Sequence, residues 1–351
     1  MFEDITLDEL LALRNRKEIV LIDVRSPSEF ADSTIPGSLN IPVFDDAERA
    51  EVGTIYKQVS VHAAKERGLE IFSAKLPQFI KTFGQMKEQK AVFCWRGGMR
   101  SKTAATVLAL MGIRAYRLTG GFRTYRKWVV ETLEHMEFKP RAVALLGHTG
   151  TGKTAILRGL KGEGFPVLDL EGMAGHRGSI FGQVGLEANN QKTFDSLLVT
   201  DLLSMQDSPY VLLEGESNRI GKAVLPKFVI EKKEAAKQIW IQLPMEERVR
   251  NIVKEYRPRE HKEELIFAYR KIKSRIHTPI ANEIMTCLTE DRFDHAVRLL
   301  LKHYYDPRYE HAMKLYEQER FVIEANTVEE AAQKVKDHLV TGDADRREAC
   351  R

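Results

Sequence analysis

From the start of the chain to about residue 125, short apolar runs alternate with helical patterns. Residues 18–25, EIVLIDVR, predict a buried strand. ADSTIPGSLNIP is rich in Pro, Gly and Ser and predicts a loop leading into another strand. KAVFCWRGG predicts a strand that stops at glycines, SKTAATVLALMG a helix closed by Gly112, and RAYRLTGG a further short strand. GGFRTYRKWVVETLEHMEFKP continues as a helix that Pro140 ends. A second series follows: RAVALLG (strand), a glycine-rich turn, TAILRGLKGEG (helix), FPVLDLEG (strand), a helix to about 206, then strands at YVLLEGES and QIWIQLP. Strands alternating with helices predict parallel sheets. The expected fold is therefore α/β: a parallel-sheet domain over 1–125, a helical linker over 126–140 and a second α/β domain over 141–340. Within the second domain about 245–318 is helical and basic, and 341–351 is a polar, mobile tail.

A chain of 351 residues suits two domains. Its 43% hydrophobic and 30% charged residues are ordinary for a globular protein. A net charge of +4 does not by itself mark a nucleic-acid binder, so such a role needs a local basic cluster. The three cysteines, Cys94, Cys287 and Cys350, fit neither a CxxC pair nor a zinc site, and a reducing compartment is expected. Cys287 lies in an apolar stretch and is expected to be buried and inert; Cys350 is expected as a free thiol on the tail. The start, MFEDITLDELLALRN, is acidic and amphipathic, without the cationic start and apolar core of a signal peptide. No apolar run approaches the ~20 residues that cross a bilayer. A soluble cytoplasmic protein is expected.

VFCWRGGMRS places Cys94 at a strand end, followed by Arg96, Gly97, Gly98, Arg100 and Ser101. A core cysteine needs no such neighbours. In a strand–loop–helix turn the loop N–H groups and the helix N-terminus gather above the sulfur, and the arginines add full charge. Cysteines in such places have pKa values lowered to roughly 3.5–7.5, which makes them nucleophiles inside an anion cradle. GHTGTGKT, residues 147–154, fits G-x-x-x-x-G-K-[ST] between a strand and a helix. Gly147, Gly150 and Gly152 let backbone N–H groups cradle phosphates, Lys153 neutralises them, and Thr154 can ligate Mg²⁺. Asp169, Glu171, Glu214 and Glu216 are strand-end carboxylates, any of which could hold Mg²⁺ or simply face water. His176, Arg177 and Ser179 sit between glycines in AGHRGSIFG, a composition suited either to a ligand loop or to a plain connection. In the basic region Arg257, Arg259, Arg270, Lys271, Lys273 and Arg275 could bind phosphates, with Tyr256 and Tyr269 stacking bases. Glutamates interrupt the run, so part of it is a solvated helix face.

Around Cys94 the chain resembles the rhodanese family, whose cysteine carries a sulfane sulfur. LIDVRSPSEF, with Asp23 and Arg25, TIPGSLNIP and LTGGFRTYRKW carry that resemblance. It departs at Ser33 and Thr34, where rhodaneses often have Gly-His, and Arg100 stands six residues after Cys94 rather than five. C-x5-R is also the spacing of cysteine phosphatases, so the reactant is expected to be bulkier than one sulfur atom and phosphorus-centred. Phe93, where phosphatases have histidine, argues against a phosphatase.

A rhodanese-like domain ahead of a P-loop resembles the tRNA 2-selenouridine synthase family over nearly the whole chain. FCWRGGMRS, DDAERAEVGTIYKQ (45–58), GHTGTGKT, HRGSIFG and LLEGESNRIGK carry it. The resemblance implies action on tRNA bearing wobble 2-thiouridine. Geranyl diphosphate would geranylate the sulfur, and selenium from selenophosphate would then replace the S-geranyl group. No bound organic cofactor is expected. Cys94, Arg96 and Arg100 would handle selenophosphate, the P-loop would bind the diphosphate, and the basic helices would dock the tRNA. The other reading is a P-loop kinase or nucleoside triphosphatase with a rhodanese-like regulatory module, which predicts tRNA-independent ATP or GTP hydrolysis.

Overall fold

The computed structural model describes residues 2–215, 218–313 and 320–349. The chain divides into two compact units, residues 1–136 with 195–199, and residues 137–194 with 200–351.

In the first unit five strands, β1 (Glu3–Ile5), β2 (Ile19–Asp23), β3 (Leu39–Asn40), β4 (Gln89–Phe93) and β5 (Tyr116–Leu118), form one parallel sheet in the order β1-β5-β4-β2-β3. The central strands β2 and β4 are apolar runs buried on both faces, as a helix-covered parallel sheet requires. Val92, Cys94, Ala104, Ala105 and Leu108 share a core with Phe72, Phe79 and Phe83 of the long helix Val61–Gly84. The stretch 45–58 is a helix, Asp46–Gln58, whose N-terminus Asp45 and Glu48 close with a reciprocal capping box. The helix Gly121–His135 belongs to this unit: Phe122, Tyr125, Val129 and Leu133 are buried, because its apolar positions recur at helical spacing on one face. The segment expected to be a linker from residue 126 is therefore mostly a packed helix.

The second unit has β6 (Arg141–Gly147), β7 (Val167–Leu168), β8 (Tyr210–Glu214), the small antiparallel pair β9 (Arg219–Ile220) and β10 (Ala223–Val224), β11 (Lys237–Gln242) and β12 (Arg320–Glu324). Its main sheet is parallel in the order β12-β11-β6-β8-β7. Helices from Met245 to Met313 build a separate apolar cluster around Tyr269, Ile284, Cys287 and Ala296. Cys287 is buried there as expected, and burial pushes its thiol up. The helix Val328–Ala349 continues through 341–349, the stretch expected to be loose; Cys350 lies outside the described residues. No helix among the described residues is long and apolar enough to cross a membrane.

Under the first sheet's C-terminal edge, Asp23 and Arg25 form an ion pair that is fully buried, at 0% and 1% exposure. The Arg25 guanidinium also donates to the Ser33 carbonyl at 2.5 Å and lies over the Phe122 ring at 4.5 Å. Thr34 donates its hydroxyl to Asp23 at 2.9 Å, so the departure from Gly-His at 33–34 supplies a partner to the buried carboxylate. Removing one member strands the other's charge in the core. Arg25→Ala should cost about 3–5 kcal/mol in denaturant unfolding, far more than an exposed pair such as Arg16–Glu18 would.

Candidate functional site

Cys94 follows the last residue of β4 and is only 3% exposed. Its Sγ lies 3.2 Å from the Ser101 hydroxyl, and Ser101 in turn reaches the Gly98 carbonyl at 3.3 Å. The loop turns at Gly97, which has a φ of +63°. Gly98 caps the helix Met99–Leu110 without a side-chain oxygen, which leaves first-turn N–H groups for an anion. The glycine pair of the next turn closes against this loop. Phe122 and Arg123 donate their N–H groups to the carbonyls of Cys94 and Trp95, each at 2.9 Å. A Cβ at Gly121 would sit 2.1 Å from the Cys94 carbonyl oxygen, so only glycine allows that approach.

The two arginines differ. Arg96 is exposed on the loop. Arg100 is mostly buried and paired on both guanidinium arms with Glu29, one contact measuring 3.1 Å. Burial opposes the Arg100 charge, but Glu29 outweighs burial, and Cys94 and Asp23 add to the effect, so its pKa is held above the usual arginine value. Burial likewise opposes the Glu29 charge, and Arg100 overrides it, holding the carboxyl below the usual glutamate range. The positive charge expected to face the sulfur is thus shared with a carboxylate that sequence reasoning missed, 71 residues away in the chain. A third cation was also missed: Arg117 donates to the Gly97 carbonyl at 3.3 Å while paired with Asp4 at 2.6 Å.

In the second unit the P-loop joins β6 to the helix Lys153–Gly162. Lys153 is buried and folds back onto its own loop, donating to the Gly147 carbonyl at 2.7 Å and the His148 carbonyl at 3.4 Å. Gly150 passes so close to the helix Met245–Tyr256 that a Cβ would lie 2.7 Å from the Arg248 carbonyl. That helix braces the loop: Arg248 donates to the Thr149 carbonyl at 2.9 Å and Asn251 to the Gly150 carbonyl at 3.0 Å. Arg248 is buried and paired with Asp306 at 2.6 Å, so this member of the basic run serves the loop's geometry.

A cavity of about 530 Å³ opens above the P-loop. Lys153, Thr154, Glu171, Arg177, Ser179 and Glu214 all line it, which joins three sequence motifs in one site. The Thr154 hydroxyl faces Glu214 at 2.6 Å and Glu171 at 3.2 Å, both buried. This hard-oxygen set fits Mg²⁺, which takes one or two carboxylates and completes its shell with phosphate and water. Among the described residues no group of three or more His, Cys, Asp or Glu side chains could hold a metal on its own. Asp169 is engaged elsewhere, capping the helix Leu170–Ala174 through Gly172 N–H at 2.8 Å and pairing with Arg158 at 3.1 Å. Glu216 lies outside the described residues. Arg177 is fixed by Glu255 at 2.8 Å, the Val184 carbonyl at 2.7 Å and the Tyr256 ring at 4.7 Å. Burial, then the Arg177 charge, holds His176 below the usual histidine value; its Nδ1 accepts from Gly178 N–H at 3.1 Å.

The expected base-stacking tyrosines are elsewhere. Tyr269 is fully buried and donates to the Ala281 carbonyl at 2.8 Å. Tyr256 stands in the cavity wall 3.3 Å from the Ser179 hydroxyl, with its phenol pushed up to about 12 by burial. Their apolar surroundings make core packing the better use of both rings. The exposed aromatic is Phe267, 62% exposed, with the Lys271 ammonium 4.5 Å over its ring. Among the described residues no carboxylate pairs with Arg259, Arg270, Lys271, Lys273 or Arg275, whereas Arg257 pairs with Glu260 at 2.9 Å.

If Glu29 holds the Arg100 charge back from the sulfur, Glu29→Gln should raise the rate of Cys94 alkylation by iodoacetamide several-fold, and Arg100→Met should lower it. Peptide mass spectrometry distinguishes Cys94 from the buried Cys287, and equal rates in all three proteins would remove Arg100 from the electrostatics of the thiol.

Residues 6–127 match the rhodanese-like domain, and residues 140–270 match the tRNA 2-selenouridine synthase AAA domain. Proteins named tRNA 2-selenouridine synthase are similar across both parts. The one from Bdellovibrio bacteriovorus is 35% identical over 69% of this chain and 65% of its own length. The chain thus spans about two thirds of that relative. The one from Nitrosomonas europaea is 34% identical over 72% of this chain and 67% of its own. The one from Hydrogenovibrio crunogenus is 32% identical over 85% of this chain and 90% of its own. With both domain matches in this order, and a relative 32% identical over 85% of this chain and 90% of its own length, the chain belongs to the tRNA 2-selenouridine synthase family.

Proposed function

We propose that this chain modifies wobble 2-thiouridine in tRNA in two steps, S-geranylation from geranyl diphosphate and replacement of the S-geranyl group by selenium from selenophosphate, yielding 2-selenouridine. The observation that carries the reading is that a chain of this family holds two anion cradles of different make, a buried cysteine loop and a P-loop cavity. A tRNA substrate puts its site of action in the cytoplasm.

In the first step the thiocarbonyl sulfur bonds to C1 of the geranyl group as the C1–O bond breaks. Diphosphate leaves with the electron pair, and the base gives up its N3 proton. Loop N–H groups, Lys153 and Arg177 hold the leaving charge, which is the largest electrostatic demand of such a displacement. Bound Mg²⁺ would add Lewis-acid stabilisation of the diphosphate, held by Thr154, Glu171 and Glu214. In the second step the Cys94 thiolate attacks phosphorus while the loop N–H groups, Arg96 and Arg100 hold the tetrahedral anion; the S–P bond forms as the P–Se bond breaks and hydrogen selenide leaves with the electron pair, a course that the longer C-x5-R loop supports. The selenide then bonds to C2 of the base as the C2–S bond breaks, geranyl thiolate departs with the electron pair, the selenide proton passes to N3, and water hydrolyses the S–P bond to release phosphate and free Cys94. Arg259, Arg270, Lys271, Lys273 and Arg275 would meet tRNA phosphates, with Phe267 available for stacking.

A nucleoside triphosphatase is the second reading, favoured by Thr154 facing Glu214 at the end of β8, where such enzymes hold Mg²⁺. Incubation of 2-thiouridine tRNA with each donor alone and with both, followed by mass spectrometry of the nucleosides, separates the two. A geranylated product with the first donor and a selenium product with both support the proposal. Unmodified 2-thiouridine in every tube, with ATP or GTP hydrolysis that needs no tRNA, supports the triphosphatase.

Cys94→Ser should abolish selenium incorporation and leave geranylation intact; loss of both would sink the division of labour. Lys153→Ala should slow geranyl transfer by about 10²–10³-fold, the loss typical of one missing oxyanion donor. Unchanged transfer would take the P-loop out of that step.

A further inference from the structure

We propose that a narrow apolar recess off the P-loop cavity receives the far end of the prenyl chain and sets its length. The inference rests on the prenyl-diphosphate reading of the P-loop given above. The recess has a volume of about 60 Å³. It shares Thr149, Ser179, Ile252, Tyr256 and Tyr305 with the wall of the 530 Å³ cavity, so the two adjoin. Thr149 belongs to the P-loop itself, which puts the mouth of the recess beside the phosphate cradle.

The rest of its lining is apolar: Leu265, Leu288, Phe293 and Leu300 of the helical cluster, with Val297 beside them. The hydroxyls of Ser179 and Tyr256 stand 3.3 Å apart at the neck and bond to each other. A ribose or base pushed past them would lose its hydrogen bonds to water and find none in return. A branched alkyl end is both apolar and narrow. The chemistry of the recess therefore selects an alkyl diphosphate over a nucleotide, and its small volume limits how much of the alkyl group it can bury.

The test is calorimetric binding to the full chain of pyrophosphate, ADP, and dimethylallyl, geranyl and farnesyl diphosphates. Each buried methylene tightens binding about fourfold, so geranyl diphosphate should bind at least ~10-fold tighter than the dimethylallyl compound, and farnesyl diphosphate should gain nothing more. Val297→Phe fills the recess from a partly exposed position. It should bring geranyl diphosphate down to the dimethylallyl level and leave pyrophosphate unchanged. Leu300→Ala enlarges the recess and should let farnesyl diphosphate bind tighter than geranyl diphosphate. If geranyl diphosphate binds tightly to wild type but neither variant changes the order of chain lengths, the recess inference is wrong and the prenyl reading stands. If no prenyl diphosphate binds better than pyrophosphate, or ADP binds best, both fall.

Discussion

The carbonyl oxygen of Cys94 leaves no space for a side chain at residue 121. That exclusion sets the geometry of the first unit's site. It brings the turn after β5 against the loop after β4, and it lets the N–H groups of Phe122 and Arg123 take the carbonyls of Cys94 and Trp95. Those two bonds tie down the carbonyls of Cys94 and Trp95, at the start of the loop. The P-loop obeys the same constraint with other partners. Gly150 runs against the backbone of Arg248, and that helix holds the carbonyls of Thr149 and Gly150. In both units a central parallel strand ends at a glycine turn, and a neighbouring element fixes which way its peptide groups point.

Charge is handled with equal economy. Arg25, Arg100 and Arg117 each meet a carboxylate in the first unit, and Arg96 alone stands exposed on the cysteine loop. A buried sulfur surrounded by uncompensated guanidinium groups would carry a large desolvation cost when empty. Pairing Arg100 with Glu29 lowers that cost and leaves a cation that an arriving dianion can recruit. The second unit places its cations differently, with Arg177 anchored in the cavity wall and the unpaired lysines and arginines kept on the helical surface.

Most of this fold was legible because strand runs, glycine turns and helix faces are local signals. EIVLIDVR, KAVFCWRGG, RAVALLG and YVLLEGES all became parallel strands, and both loops sit between strand and helix as expected. The shortest pieces were not legible: β1 and the β9–β10 pair have too few residues to show a period. Glu29 and Arg117 were invisible for another reason. Their meaning lies in contacts across 71 and 20 residues of chain, and nothing in the residues beside them reports it. The same holds for Tyr269, whose neighbours in sequence are basic while its neighbours in space are apolar. Among four candidate carboxylates, sequence spacing could not choose; the direction of the Thr154 hydroxyl favours Glu171 and Glu214.

The folded-back Lys153 also acts as a threshold. Its ammonium already has the Gly147 and His148 carbonyls, so a visiting anion gains only the difference between its own bond and those two. A weakly charged ion such as chloride, or a singly charged phosphate ester, offers little beyond what the loop already supplies. A dense polyanion offers much more. The lysine's ground-state bonds thus weight the site toward anions of high charge density.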